Sequence, residues 1–289
     1  MPEGDVVWLT ARRLHEALAD EVISAADLRW PGISTADLRG MRTLEVISRG
    51  KNILHRLDAG LTLHSHLRME GQWRIEDAGK VTGRTLANPW LRALIGTTQW
   101  TALGLRLGTL RLTATRDEDR LLGHLGPDVL GPDWDETEAA RRLGTSAATI
   151  GAALLDQRNL AGVGTLYASE VLFLSRISPW HPASGLTRAQ VGGIVDRVHR
   201  LLDANRHHLS QSTTGVQRRG ETTYVHGRSG RPCRRCGDPV RVSVVGDSPQ
   251  GRAFFYCPTC QGGLAPGDDG RRQGPLGSAA GSPGRRRPG

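Results

Sequence analysis

The spacing of apolar residues changes character along the chain. Near the start, Val7, Ala11, Leu14 and Leu18 fall at i, i+4, i+7 and i+11, which is one face of a helix. From Leu44 the period shortens. The runs LEVIS, NILHRL and LTLHSHL are separated by Arg-Gly-Lys and Asp-Ala-Gly, and such glycine-bearing breaks predict turns in an antiparallel sheet. WRI and LRLGTLRLTAT continue the β character to about Thr115, so residues 1–115 form a mostly β domain with at least one helix. A polar connection with two Gly-Pro pairs occupies 116–136. Helical patterning then fills 137–220 as EAARRL, TIGAALLDQRNL, TLYASEVLFLSR and TRAQVGGIVDRVHRLLDANRHHL. The break Ala161-Gly162-Val163-Gly164 fits a tight helix-turn-helix, although the residues alone slightly favour an ordinary helical hairpin. A short β-like module spans 221–264. Beyond it, 265–289 is Gly, Pro, Ser and Arg with almost no large apolar residue, a composition expected to stay disordered.

Composition narrows the function classes. Of 289 residues, 38 are Lys or Arg against 29 Asp or Glu, a formal +9 that fits a polyanionic partner. Part of that charge lies in the tail, so the body is less basic than the total implies. No window approaches the ~18 apolar residues of a membrane span, and MPEGDVVW lacks a basic-then-apolar secretion pattern. Four cysteines are too few for a disulfide scaffold of this length. Lysine occurs only at Lys51 and Lys80, so 36 of the 38 cations are arginine.

Those four cysteines carry the sharpest local signal. Cys233-Arg-Arg-Cys236 is followed after 20 residues by Cys257-Pro-Thr-Cys260, two knuckles suited to one tetrahedral Zn²⁺. With no open position, such an ion is structural. Arg228, Arg231, Arg234, Arg235, Arg241 and Arg252 make the ribbon basic, as phosphate contact requires. At the N-terminus, Met-Pro predicts removal of the initiator, leaving Pro2 with a free secondary amine. Such an amine condenses with an aldehyde to an iminium, an electron sink for elimination, and Glu3 beside it could move a proton. Many chains begin this way without consequence. Lys51 sits at the turn in Ser48-Arg-Gly-Lys-Asn52; a turn lysine is ordinarily a solvated charge, but unlike arginine it can give up its proton.

Taken together in this order, MPEG, SRGKNI, HLRMEG (66–71), LLDQRNLAGVGTLYASEVLF (154–173) and CRRC…GRAFFYCPTCQ (233–261) resemble the bacterial formamidopyrimidine-DNA glycosylase and endonuclease VIII family. The likeness runs from Pro2 to about Gln261. It implies a multidomain α+β fold: an N-terminal antiparallel β-sandwich with a flanking helix, a helix–two-turn–helix domain and a C-terminal zinc-ribbon hairpin, with damaged DNA in the cleft between domains. It implies Pro2 as nucleophile at C1′, Glu3 as acid/base, Lys51 as the lysine at the lesion phosphate and Arg252 as the ribbon arginine on phosphates. Residues 66–71 supply His66, Arg68 and Met69 to the DNA, the latter two entering the gap left by an everted base. Gly164 and Thr165 contact a phosphate. The chain would be a bacterial, cytoplasmic, nucleoid-associated monomer with one structural zinc held by Cys233, Cys236, Cys257 and Cys260, and without a small-molecule cofactor.

Two segments depart from the family pattern. Asp5 and Val6 stand where Pro and Glu are usual, and Thr165 replaces Asn. The PEG start and a short stretch from Ser212 to Tyr224 favour oxidised pyrimidines over 8-oxoguanine. The alternatives are a catalytically silent binder of damaged DNA on the same fold, or an 8-oxoguanine and formamidopyrimidine preference.

Overall fold

The structure is a computed structural model that describes residues 2–246 and 251–274. The amphipathic start folds as α1 (Gly4–Leu18). It is followed by β1 (Ala25–Leu28), β2 (Thr43–Arg49), β3 (Asn52–Leu57), β4 (Leu61–His66) and β5 (Gln72–Asp77). After a single helical turn, α2 (Gly83–Leu86), come β6 (Leu91–Gly96), β7 (Trp100–Leu105) and β8 (Thr109–Ala114). These strands make two antiparallel four-stranded sheets, ordered β1-β6-β7-β5 and β2-β3-β4-β8. Val46, Ile53, Leu57 and Leu63 from one sheet meet Ala93, Ile95 and Ala102 from the other, with Val7, Ala11, Leu14 and Leu18 of α1 in the same core. The expected sandwich with a flanking helix is present.

The chain's patterning missed β1, β6 and all of β7 but its last residue. Ala-Ala-Asp-Leu has little β propensity of its own, and Leu-Arg-Ala-Leu-Ile-Gly is a short apolar run whose type periodicity leaves open. LRLGTLRLTAT is split by a tight turn at 106–108, its two parts closing β7 and forming β8.

The connection is more than a polar link. It contains α3 (Glu118–Leu122) and buries Leu122, Leu125, Val129 and Leu130. Then come α4 (Glu136–Gly144), α5 (Ile150–Leu155), α6 (Thr165–Ser175) and α7 (Arg188–Asn205). The second helical run stops earlier than its pattern indicates. Asp156 accepts the Arg158 backbone N–H at 2.9 Å, and the Asn159 amide reaches back to the Ala153 carbonyl at 3.0 Å, so DQRNL forms a capped turn. Helix α6 is buried on nearly every side, from Tyr167 to Phe173. That burial makes it the axis of the helical domain.

The ribbon is β9 (Arg241–Val245) paired antiparallel to β10 (Arg252–Tyr256), closed by α8 (Pro258–Gln261). Phe254 and Val245 join the helical core, and Phe255 packs with Phe173 and Cys257. Residues 265–274, which composition assigned to the tail, pack on this hairpin: Arg241 pairs with a buried Asp268, and Tyr256 donates its hydroxyl to the same carboxylate at 2.8 Å. The Arg285–Arg287 run lies outside the described residues.

Candidate functional site: an acid and a lysine on a helix N-terminus

Three glycines bring three distant segments together. Gly162 has φ +104°, and a Cβ there would lie 3.6 Å from the Cα of Gly4 and 3.9 Å from the Cα of Gly50. The N-terminal arm, the β2–β3 turn and the α5–α6 turn therefore meet backbone to backbone. The Gly4 N–H donates to the Gly162 carbonyl at 2.9 Å. The Gly50 N–H donates to Asp128 at 2.8 Å, and Gln157 accepts the Gly162 N–H at 3.0 Å.

Glu3 is drawn into this junction and is 1% exposed. Its carboxylate accepts the N–H groups of Gly164 and Leu166, each at 2.8 Å, and of Tyr167 at 3.4 Å. These are unpaired donors of the first turn of α6, where the helix dipole favours an anion. Burial raises the Glu3 pKa, while Lys51 and the backbone donors pull it back. Lys51 is half-buried and donates from Nζ to the Val163 carbonyl at 2.6 Å. Burial lowers its pKa, Glu3 opposes that, and nearby Arg252 reinforces it. Acid and lysine are thus both shifted toward their neutral forms, the condition for moving a proton near neutral pH.

Of the residues expected to act, Pro2, Glu3 and Lys51 lie along this junction, and Arg252, exposed at the head of β10, faces Lys51 closely enough to shift it. Pro2 is half-buried beside Glu3. Gly164 caps α6 and Thr165 is its first residue. His66 closes β4, and burial, with Arg68 and Lys51 adding to it, pushes its pKa down to about 4. Its Nδ1 accepts the Arg68 N–H at 2.9 Å, so the proton of the neutral ring sits on Nε2. Arg68 has φ +57°, and its stem lies across Gly108. Met69, beside it, is 64% exposed.

Several polar groups of the junction carried no sequence signal. Asp128 holds the Lys51 turn, Gln157 braces the glycine turn, and Tyr167 and Gln211 bind Asp5. Glu170, fully buried, gathers the N–H groups of Tyr224, Val225 and His226 at 2.7–2.8 Å. It thereby ties the segment leading into the ribbon to α6.

In the ribbon, the four cysteine sulfurs lie within 4.8 Å of one another. Cys233 and Cys260 are 3.9 Å apart, and Cys236 and Cys257 3.4 Å. A tetrahedron with bonds of about 2.3 Å has edges of about 3.8 Å, so the thiols fit a single Zn²⁺-sized ion.

A β-sandwich and a helical domain sharing a buried acid, a half-buried lysine and a glycine turn define the architecture of helix–two-turn–helix DNA glycosylases. The comparisons agree. Residues 1–121 match the formamidopyrimidine-DNA glycosylase N-terminal domain, and 125–216 the formamidopyrimidine-DNA glycosylase H2TH domain. The probable endonuclease 8 2 of Streptomyces coelicolor is 46% identical over 272 residues, covering 94% of this chain and 98% of its own length. The DNA-(apurinic or apyrimidinic site) lyase Nei2 of Mycolicibacterium smegmatis is 38% identical over 263 residues, covering 90% and 99%. Among solved structures, the MutM (Fpg) protein of Thermus thermophilus aligns with a TM-score of 0.72 at 33% identity, covering 91% of this chain and all of its own. A MutM complex with DNA containing carbocyclic 8-oxo-G aligns with a TM-score of 0.75 at 25% identity, covering 90% and 99%. The chain belongs to the formamidopyrimidine-DNA glycosylase family, and the expected kinship and fold are met.

Proposed function

We propose that the protein is a bifunctional DNA glycosylase and AP lyase of base-excision repair, acting on oxidised bases, with pyrimidines preferred. The observation that carries this reading is the junction itself. Glu3 is held on the N-terminus of α6, with Pro2 next to it in the chain and the half-buried Lys51 donating to the Val163 carbonyl, an arrangement that suits an amine nucleophile, a proton-shifting acid and a cation acting together. The relatives named for endonuclease 8 and AP lyase activity, which match over nearly their whole length, support it.

After loss of Met1, the Pro2 nitrogen attacks C1′ with its lone pair. The N-glycosidic bond breaks and the base leaves with that electron pair and a proton. Glu3, raised by burial, is the group suited to supply a proton and to assist opening of the C1′–O4′ bond. The resulting iminium acidifies C2′. Loss of the C2′ proton drives cleavage of the C3′–O bond and expels the 5′-phosphate-bearing strand. Water then hydrolyses the iminium and frees Pro2. Lys51 and Arg252 hold the lesion phosphates, and His66 offers its Nε2 proton to the same backbone. The Gly164–Thr165 turn presents its remaining donors to a phosphate. Reaching the base requires its extrusion, at a cost of a few kcal/mol. Met69, an adaptable apolar side chain exposed to solvent, fills the vacated stack with Arg68 beside it. The four cysteines would hold one Zn²⁺, which cross-links the hairpin that presents Arg252.

Borohydride trapping on a duplex with an abasic site tests the chemistry. An active lyase becomes covalently attached at Pro2, while a silent binder of damaged DNA forms no adduct, which would sink the proposal. A lesion panel then tests the substrate: activity confined to 8-oxoguanine opposite cytosine contradicts the pyrimidine preference.

A further inference from the structure

Asp5 is a buried carboxylate that the proposed chemistry does not use. It stands at the second position of α1 and is 1% exposed. Its oxygens accept the Tyr167 hydroxyl at 2.6 Å and the Gln211 amide at 2.9 and 3.1 Å. None of these partners is charged, although all are donors, which is what an ionised carboxylate requires. Its place in the first turn of α1 favours an anion, but burial without a cation still costs stability, so the ties it makes must be worth that cost. Tyr167 resolves the matter by geometry. Its backbone N–H points to Glu3 and its side-chain hydroxyl to Asp5, so one residue of α6 grips both acids of the N-terminal arm. Gln211 adds the segment after α7 to the same carboxylate.

We propose that Asp5 is a positioning residue: with Tyr167 and Gln211 it locks the start of α1 onto α6, fixing the direction from which Pro2 and Glu3 meet the nucleotide. Asp5 and Val6 stand where the family's Pro-Glu pair is usual, so Asp5 is the acid that this arm carries after Glu3. The inference rests on the reading of Pro2 and Glu3 as the reacting pair.

The test compares the full-length protein with Asp5→Asn, Tyr167→Phe and the double variant on an abasic-site duplex. Each single variant is expected to slow single-turnover borohydride trapping about tenfold, as misplacement of a nucleophile does. DNA affinity is expected to stay within about twofold, and the double variant to be no slower than the singles, because both break one tie. Hydrogen exchange at the Gly4 and Leu166 amides, which needs no DNA, is expected to quicken in Asp5→Asn. Trapping at the wild-type rate, or additive losses that fall equally on affinity, would overturn the positioning role. If wild type itself fails to trap, the assigned chemistry falls, and the amide exchange alone decides whether Asp5 holds the arm.

Discussion

Glu3 and Leu166 are separated by 163 positions in the chain, yet the carboxylate of one accepts the backbone N–H of the other at 2.8 Å. The N-terminal domain is thereby pinned to the first turn of α6 through the residue proposed to move a proton. Because Glu3 accepts N–H groups through both oxygens, an amide cannot replace it without facing a donor with a donor. Glu3→Gln is expected to lose base removal by at least about a hundredfold and to destabilise the fold by about 1–3 kcal/mol. Single-turnover assays on a lesion duplex and on a preformed abasic site, with denaturant unfolding alongside, check both parts. Wild-type base excision by this variant would remove Glu3 from the reaction.

Gly164 permits that contact. A Cβ at this position would sit 2.4 Å from the Glu3 Cδ and 2.5 Å from its Oε1. Gly164→Ala must push the carboxylate off the helix terminus while leaving α6 itself helical. Excision is expected to fall by more than about tenfold, with circular dichroism unchanged. An active Gly164→Ala variant would show that the carboxylate need not stand where the structure places it.

Much of this was legible in the chain, and the limits are physical. The α1 stripe, the β2–β3–β4 meander and the CxxC pairs follow from local period and spacing, so the four cysteines could be singled out directly, whereas Lys51 stood out only as one of two lysines and took its expected role from the family resemblance. Strand β6 could not be typed because a short apolar run has no period of its own. Asp128, Gln157 and Glu170 were invisible because each is a common polar residue whose meaning lies in a partner far along the chain. Residues 265–274 were misjudged for the same reason: Asp268 reads as a solvated charge until Arg241 is seen across from it.

The ribbon is proposed to depend on a zinc ion held by its four cysteines. Cys257 is buried, and its thiol lies against Cys236 at 3.4 Å. Cys257→Ser is expected to abolish stoichiometric zinc by elemental analysis, lower the melting temperature and weaken DNA binding, since structural zinc supplies folding free energy to small modules. A strong chelator should do the same to the native protein. Full zinc content in the variant would refute the four-thiolate site.

His55 sets part of the acid response. It is 6% exposed, its Nε2 meets the Thr43 hydroxyl at 2.8 Å, and burial pushes its pKa down from 6.5 to about 4. Between those values the unfolded chain binds a proton that the folded ring refuses. The contribution to stability is therefore whole above pH 6.5 and lost as pH falls toward 4. By pH 5 this one ring should have cost about 2 kcal/mol. Glu3, Asp5 and Glu170, raised by burial, act in the opposite sense, since their contribution is present at low pH and lost as pH rises. Comparison with His55→Gln cancels those terms. From pH 7.5 to 5 the native protein is expected to lose about 2 kcal/mol more than the variant in denaturant unfolding, and parallel pH slopes would contradict a neutral buried ring.

Met69 gives a test that separates duplex handling from chemistry. It protrudes, 64% exposed, from the turn joining β4 to β5. A large apolar side chain held in water gains by entering a base stack opened through extrusion, and the smaller alanine leaves that gap unfilled. Met69→Ala is therefore expected to leave stability within about 0.5 kcal/mol of wild type. It should slow excision from duplex about tenfold, roughly 1.4 kcal/mol at the transition state. On a single-stranded oligonucleotide there is no opposing stack to hold open, so the two proteins should react alike. Equal losses on both substrates would mean that Met69 serves the lesion pocket and not the duplex.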